Sequence, residues 1–289
     1  MSIVEVPDFP NKSIYSVQSQ RKNCMTNPFL TFHSGANKGT SKFMCALALA
    51  FAGVCLPTSA QTISLATASE NTFGISASSY KYNEPGFMKL NAAKLGVDFS
   101  TTYGPGAKWP NKPDSWFYKA ELSYFSGNAD YTSPISGTIS NTPHWFYEAR
   151  VLAGKDIDMG NYVLSPYTGV GYRRLFNDLG YERTSDYTTL PIGLTHKVKL
   201  TDNSQLHTTV EYMHLLSGVQ KVQLIQTIRM NQKNGYGLRF SMQKRQDKWS
   251  MGPTLTYWNL GQSDLGGLTP LFEPKNNTLE IGFKGSMHF

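Results

Sequence analysis

The sequence predicts an all-β fold, a closed antiparallel transmembrane β-barrel of ten strands, and the same pattern also accommodates eight or twelve. Three observations predict it: long segments of alternating apolar and polar side chains, charges that recur on the polar face, and an aromatic residue at the end of the chain. We expect the apolar face to meet lipid and the polar face to line the interior. In the last eleven residues one face carries Leu279, Ile281, Phe283, Met287 and Phe289, and the other carries Glu280, Lys284, Ser286 and His288.

Ten segments have the composition of strands and are separated by turn-rich stretches. Each is close to or longer than the roughly 9–11 residues that a tilted transmembrane strand needs. After residue 60 the chain has no uninterrupted apolar run of about 18 residues, which excludes a helical membrane protein. The predicted strands are 71–82, 89–102, 115–126, 144–155, 162–176, 186–200, 204–216, 235–245, 248–259 and 278–289.

The connections between the predicted strands alternate in length. Bacterial barrels show this alternation, with short turns in the periplasm and long loops outside the cell. Residues 103–114 depart from it, because they form a long turn on the nominally short side. The short turns are 156–161, 201–204 and 246–247, and the long polar loops are 127–143, 177–185, 217–234 and 260–277.

Residues 1–60 are predicted to be an over-extended N-terminus followed by a secretory signal peptide. The apolar core runs over residues 43–56, Lys38 and Lys42 precede it, and small residues ending at Ala60 follow it. We expect cleavage after Ala60, which leaves residues 61–289 as the barrel domain. The protein is thus expected to be exported through the periplasm to the cell outer membrane of a Gram-negative bacterium.

The cysteines and the charge agree with this division. Cys24, Cys45 and Cys55 all precede residue 61, so the barrel domain has no disulfide framework. Removing residues 1–60 changes the charge from 27 − 20 = +7 to 22 − 18 = +4. So mild a positive charge does not indicate a nucleic-acid partner.

A soluble sandwich or lipocalin-like barrel would show the same alternation with its faces exchanged. Charges on one face of most strands and aromatic residues near strand ends favour a membrane barrel, in which those aromatics form interface girdles. Pro166, Pro191 and Pro253 fall inside predicted strands, where each removes a ladder hydrogen bond, so we expect strand ends or bulges there. The girdle candidates are Tyr103, Trp109, Trp116, Phe117, Trp145, Phe146, Tyr147, Tyr257 and Trp258.

Six short segments occur in a fixed order along the chain: Tyr82–Lys89, Leu164–Arg173, Leu190–Leu194, Gly235–Arg239, Tyr257–Asn259 and Glu273–Thr278. Taken together, they resemble a family of uncharacterised porin-like outer-membrane β-barrel proteins of proteobacteria. The resemblance covers nearly all of residues 61–289 and implies a fold and a location, but no activity, ligand or catalytic residue. Phe289, with Phe283 and Met287, resembles the C-terminal signal that the barrel-assembly machinery reads.

Thirteen charged residues are expected to line the lumen, eight basic and five acidic. Such a set would be prohibitive in an apolar core but is tolerable when paired or wetted inside a barrel. Two interpretations remain open: a narrow passage that favours anions, and a salt-bridged plug, which the small size of a ten-stranded barrel favours. The residues are Lys94, Asp98, Lys119, Glu121, Glu148, Arg150, Arg173, Lys197, Lys199, Glu211, Arg239, Glu280 and Lys284.

The rival class is a hydrolase, a protease or a lipid-modifying enzyme, acting at the rim of the barrel. A His–Asp pair there could act as a general base. No Gly-x-Ser-x-Gly elbow or other active-site motif is present, so we predict that the protein is not an enzyme. The rim candidates are His144 and His214, with Asp130, Asp178, Asp186 and Asp264 in neighbouring loops.

The sequence predicts neither a metal site nor a cofactor, because its histidines are scattered. The expected partners are outer-membrane lipid, lipopolysaccharide and the barrel-assembly machinery. Residues 217–234 mix apolar and basic side chains, and could form a short helix or a mobile loop that reaches lipopolysaccharide phosphates or acts in adhesion. The oligomeric state and the solute are not predicted.

Overall fold

The computed structural model describes residues 64–104, 115–224, 226–266 and 271–289, which form twelve strands. No helix in this part of the chain is long and apolar enough to cross a membrane. The strands are β1 (Glu70–Glu84), β2 (Met88–Tyr103), β3 (Trp116–Ser133), β4 (Gly137–Lys155), β5 (Ile157–Asp158), β6 (Tyr162–Asp178), β7 (Glu182–Lys199), β8 (Gln205–Gln223), β9 (Thr227–Gln232), β10 (Gly235–Gln246), β11 (Trp249–Leu260) and β12 (Asn276–His288).

Ten of these strands close into an antiparallel barrel. Successive strands of these ten pair with each other, so that β4 pairs with β6 and β8 with β10, and β12 returns to β1 with Thr72 opposite His288. The two further strands are additions: β5 pairs only with β6, and β9 only with β8. Closure leaves the ten strands without a free edge, as a membrane span requires. The predicted fold class and the count of ten are confirmed.

The barrel has two ends, which we name by their connections. The terminal end carries both ends of the barrel chain and the connections after β2, β4, β7 and β10. The hairpin end carries the connections after β1, β3, β6, β8 and β11. Asp158 and Asp178 accept hydrogen bonds from the backbone of Gly160 and Gly180, and each glycine has a φ near +80°, which favours glycine.

All ten predicted strands are present, but most of the predicted long loops are wrong. Residues 127–143 are largely strand, because β3 extends to Ser133 and β4 begins at Gly137. Residues 177–185 form a tight hairpin between β6 and β7. The segment expected as a short helix or mobile loop, 217–234, contains the end of β8 and all of β9. Of 260–277, the described part is mostly irregular and pairs locally between Gly266 and Leu271.

Each of the three prolines that the sequence placed inside strands lies where the ladder on one side is interrupted. Pro166 faces the gap between the β4 pairing, which ends at Tyr167, and the β5 pairing, which begins at Leu164. Pairing of β6 with β7 skips Pro191, and pairing of β10 with β11 skips Pro253. The missing N–H groups therefore interrupt no continuous ladder.

The outer face in the terminal half of the barrel is an exposed apolar band. Ile281, Phe283 and Met287 of β12 are each more than half exposed, while Glu280, directly before Ile281, is buried. On the outer surface, aromatic rings stack at the edge of this band that lies toward the hairpin end. Trp145 stacks against Phe176, and Tyr212 stacks against Tyr236. Band and rings together form the outer surface of a lipid-embedded barrel.

The predicted leader, its cleavage at Ala60 and the three cysteines lie outside the described residues, as does Trp109 of the predicted girdle. The other residues predicted for the aromatic girdle are divided between the outer and the inner face of the barrel. Tyr103 and Trp116 are exposed on the outside, whereas Phe117, Phe146 and Trp258 are buried inside the barrel. These three buried rings are therefore packing residues, and the expectation that they belong to the girdle is wrong.

Candidate functional site in the barrel interior

The interior at the terminal end is occupied by the chain itself. Thr67 precedes β1, and its backbone N–H and hydroxyl donate to the fully buried carboxylate of Asp156 at 2.5 and 2.9 Å. Lys197 Nζ lies 2.9 Å from the same carboxylate, and the Ser165 hydroxyl also donates to it. Residues 64–69 are thereby held against the inner face by a paired charge, the form in which a buried charge is tolerated.

A network of ion pairs crosses the middle of the barrel. Glu211, whose side chain is fully buried, accepts hydrogen bonds from Arg150 at 2.7 Å, from Arg239 at 3.3 Å and from the Tyr167 hydroxyl at 2.7 Å. Arg239 also donates to Glu148 at 2.8 Å. The network joins strands that are distant in sequence, so it holds opposite walls of the barrel together.

A second buried ion pair lies closer to the hairpin end than this network. Lys94 Nζ is 3.2 Å from Glu280 Oε2, and the Ser78 hydroxyl donates to Glu280 at 2.7 Å. The same ammonium lies 3.8 Å from the ring centre of Tyr80 and 4.3 Å from that of Phe146. Aromatic faces and one carboxylate thus share its positive charge.

Of the thirteen charges expected in the lumen, the structure places twelve on the inward face and within 4 Å of an opposite charge. Lys199 is the exception: it is exposed at the terminal end of β7 and has no ion pair among the described residues. Lys199 has the parity of the inward Lys197, but it lies at the mouth of the barrel, where water reaches it. The twelve are Lys94, Asp98, Lys119, Glu121, Glu148, Arg150, Arg173, Lys197, Glu211, Arg239, Glu280 and Lys284.

Sequence reasoning missed a buried cluster at the hairpin end. Arg183 Nη2 donates to the Tyr82 hydroxyl at 2.9 Å, to Glu84 at 2.8 Å and to Glu273, and Tyr82 donates to Glu273 at 2.9 Å. Glu84 and Arg183 have the inward parity of their strands. The predicted strands, 71–82 and 186–200, were too short at the hairpin end to include them. Glu273 follows β11 in an irregular segment, where periodicity gives no signal. Burial raises the pKa of Glu273 to about 7, and the Glu84 carboxylate adds to the rise while Arg183 opposes it.

Apolar side chains fill the remaining interior at this end. One cluster includes Tyr80, Leu90, Tyr131 and Leu175, and a second includes Met213, Leu215, Trp258 and Leu260. Between the clusters is a cavity of about 20 Å³, enough for about one water molecule. The interior is thus occupied from the terminal end to the hairpin end.

The rim candidates for catalysis do not come together. His144 lies inside the barrel, where Nδ1 contacts Asn177 Oδ1, and His214 lies against Tyr212 on the outside. Neither histidine forms an ion pair with a carboxylate among the described residues. The candidate aspartates have other partners: Asp130 accepts from the Asn141 backbone, Asp178 closes a turn, Asp186 pairs with Arg174 and Lys221, and Asp264 accepts from Asn231. Within the described ranges, no group of three His, Cys, Asp or Glu side chains is placed to hold a metal ion.

No protein-family model matches the chain, and no curated protein matches its sequence. Its structure is similar to that of the outer membrane protease OmpT from Escherichia coli, with a TM-score of 0.51 and 12% identity, covering 80% of this chain and 100% of that one. It is more distantly similar to the transport unit of the autotransporter AIDA-I from Escherichia coli, with a TM-score of 0.43 and 8% identity over 81% and 93% of the two chains. An outer membrane channel from Pseudomonas putida F1 gives 0.40 and 8% over 77% and 96%. The chain has the fold of an outer-membrane β-barrel protein.

Proposed function

We propose that this protein is a plugged barrel of the outer membrane of a Gram-negative bacterium, with a structural rather than a conducting role. The observation that carries the proposal is the occupied interior. Residues 64–69, the Glu211 network and the apolar clusters follow one another from the terminal end to the hairpin end. In the proposed orientation the terminal end faces the periplasm and the hairpin end faces outward.

Electrical conductance tests the plug directly. The folded protein in planar bilayers is expected to show no single-channel steps, because residues 64–69, the ion pairs of Glu211 and the apolar clusters occupy its interior. The control is the Arg239→Ala/Glu148→Ala variant, which removes an ion pair from the centre and is expected to add conductance. Steps from the parent protein would reject the plug in favour of the second candidate, a narrow anion-preferring passage, which the basic residues among the inward charges support.

The protein is proposed not to be an enzyme, because the structure does not assemble His144 or His214 with a carboxylate. Intact cells that display the protein are expected to cleave neither peptides nor lipids. Cleavage that His214→Ala abolishes would contradict this proposal and would support the alternative, a hydrolase acting at the rim of the barrel. Cleavage that survives both His→Ala changes would come from another protein.

The proposed partners are outer-membrane lipid, lipopolysaccharide and the barrel-assembly machinery. Phe289 is 69% exposed, and within the described ranges its hydrogen bonds are backbone pairs with Asn71, so its ring contributes little to packing within the barrel. Phe289→Ala is therefore expected to lower the amount of assembled, heat-modifiable barrel without lowering the stability of the molecules that do assemble. The control is Phe73→Ala, which removes an exposed ring opposite Met287 on the adjacent strand and should leave assembly unchanged.

A further inference from the structure

The cavity in the hairpin half of the barrel has a polar wall that the fold does not satisfy. Three of its lining side chains each bury a polar atom that has no hydrogen-bond partner among the described residues: Arg183 Nε, Trp258 Nε1 and Asn276 Oδ1. The three side chains are 5%, 5% and 1% exposed, so bulk water does not reach them. A buried donor or acceptor without a partner is destabilising, and a bound group in the cavity that pairs with it would remove that cost.

A fourth lining residue, Arg173, brings a charge that is poorly compensated. Its guanidinium is buried and makes no hydrogen bond within the described part of the chain, and its nearest carboxylate oxygen, Glu148 Oε2, is 3.9 Å away. That carboxylate already accepts two hydrogen bonds from Arg239. The flat contact with Phe146, 3.9 Å from ring centre to guanidinium carbon, supplies only part of what the charge loses on burial.

The free groups around the cavity are mostly donors. Arg173, Arg183 and the Trp258 N–H can all donate into it, whereas Asn276 Oδ1 is the one orphaned acceptor among the atoms named above. A ligand that accepts hydrogen bonds and carries negative charge matches the three donors, Arg173, Arg183 and Trp258. Glu84 and Glu273 are engaged by Arg183 Nη2, so the main attraction for such a ligand comes from Arg173.

We propose that this cavity binds a small inorganic anion of the size of chloride. Its volume of about 20 Å³ suits one water-sized species, which excludes carboxylic acids and sugars unless the walls move. A bound halide would accept from Trp258 and from the two guanidinium groups, and it would complete the compensation of the Arg173 charge. The anion joins β6, β7 and β11 and so stabilises the closed interior.

Bromide is the probe, because it replaces chloride and scatters anomalously. The protein purified from membranes in detergent is crystallised with bromide, and an anomalous peak is expected between Arg173 and Trp258. Arg173→Gln should abolish the peak, and Arg174→Gln should retain it, because Arg174 is the adjacent residue but points outward to Asp186. A parent structure with no peak, or with a water at the site, overturns the proposal. A peak that persists in Arg173→Gln overturns it as well, since it would mark an adventitious ion only.

A solution measurement covers the case in which Arg173→Gln does not assemble. The temperature of the gel-mobility change is compared in sodium bromide and in sodium gluconate at equal ionic strength, and bromide is expected to raise it. Trp258→Phe keeps the ring but removes the N–H, so about tenfold more bromide should be needed for half of the rise. An equal temperature in the two salts, or an unchanged bromide requirement in Trp258→Phe, would reject the site.

Discussion

The two halves of the barrel use one strand pattern for opposite chemistry, as β2 shows. In the terminal half, Leu95 and Val97 point outward and are exposed, while Lys94 points inward and is buried. In the hairpin half of the same strand, Asn91 points outward and Leu90 points inward. The alternation continues without a break, but the apolar side chains change from the outer face to the inner one.

The change of face indicates a change of solvent along the barrel. Lipid accepts apolar side chains on the outside, so the polar groups of the terminal half are inside and must pair with one another. Water surrounds the hairpin half, so that part folds like a soluble protein around an apolar core. The outward apolar stretch of β2, from Ala93 to Tyr103, agrees with the roughly 9–11 residues of a transmembrane strand.

Removing a charge from the paired interior of the terminal half is expected to have the largest effect. Glu211→Gln leaves Arg150 and Arg239 buried with one carboxylate fewer, which should lower the free energy of unfolding by about 3–5 kcal/mol. Urea titration of the barrel in lipid vesicles measures the change. Glu182→Gln, at an exposed carboxylate of the hairpin end, is the control and should be neutral. Equal effects of the two changes would show that the network does not brace the barrel.

A lysine placed on the outer face tests where the solvent changes. Val97→Lys puts a charge in the apolar band and should cost about 2–4 kcal/mol, because charged groups on the lipid face of a barrel cost that much near the bilayer centre. Asn91→Lys makes the same addition to the same face of the same strand, but in the hairpin half, and should change the stability by less than about 0.5 kcal/mol. If both changes were tolerated, the band would not be embedded in lipid.

The same inversion explains how much of the molecule could be predicted from its sequence. The ten strands were predictable because alternation persists over more residues than a turn can hold. Their extensions at the hairpin end were not, because outward Asn128 and Asp130 have the composition of a polar loop. Inward parity identified most of the buried charges, Glu211 and Arg150 among them. Their pairing was not predictable, because it joins residues 61 apart whose proximity depends on closure of the whole barrel.

The smallest effect, taken per pH unit, is expected from acid–base titration at the hairpin end, where buried charge is the exception. Since the folded state holds the pKa of Glu273 near 7, above its ordinary value of 4.5, the folded protein binds more protons than the unfolded chain between these pH values. The free energy of unfolding should therefore fall as the pH rises from about 4.5 to about 7, by at most about 1.4 kcal/mol per pH unit, and level off above. Glu273→Gln should remove this slope. Asp264→Asn, in the same segment, should keep it, because its hydrogen bonds with Asn231 lower the pKa of Asp264 and place its titration below this range. A slope that survives Glu273→Gln would assign the titration to another group and would leave Glu273 ionised beside Arg183.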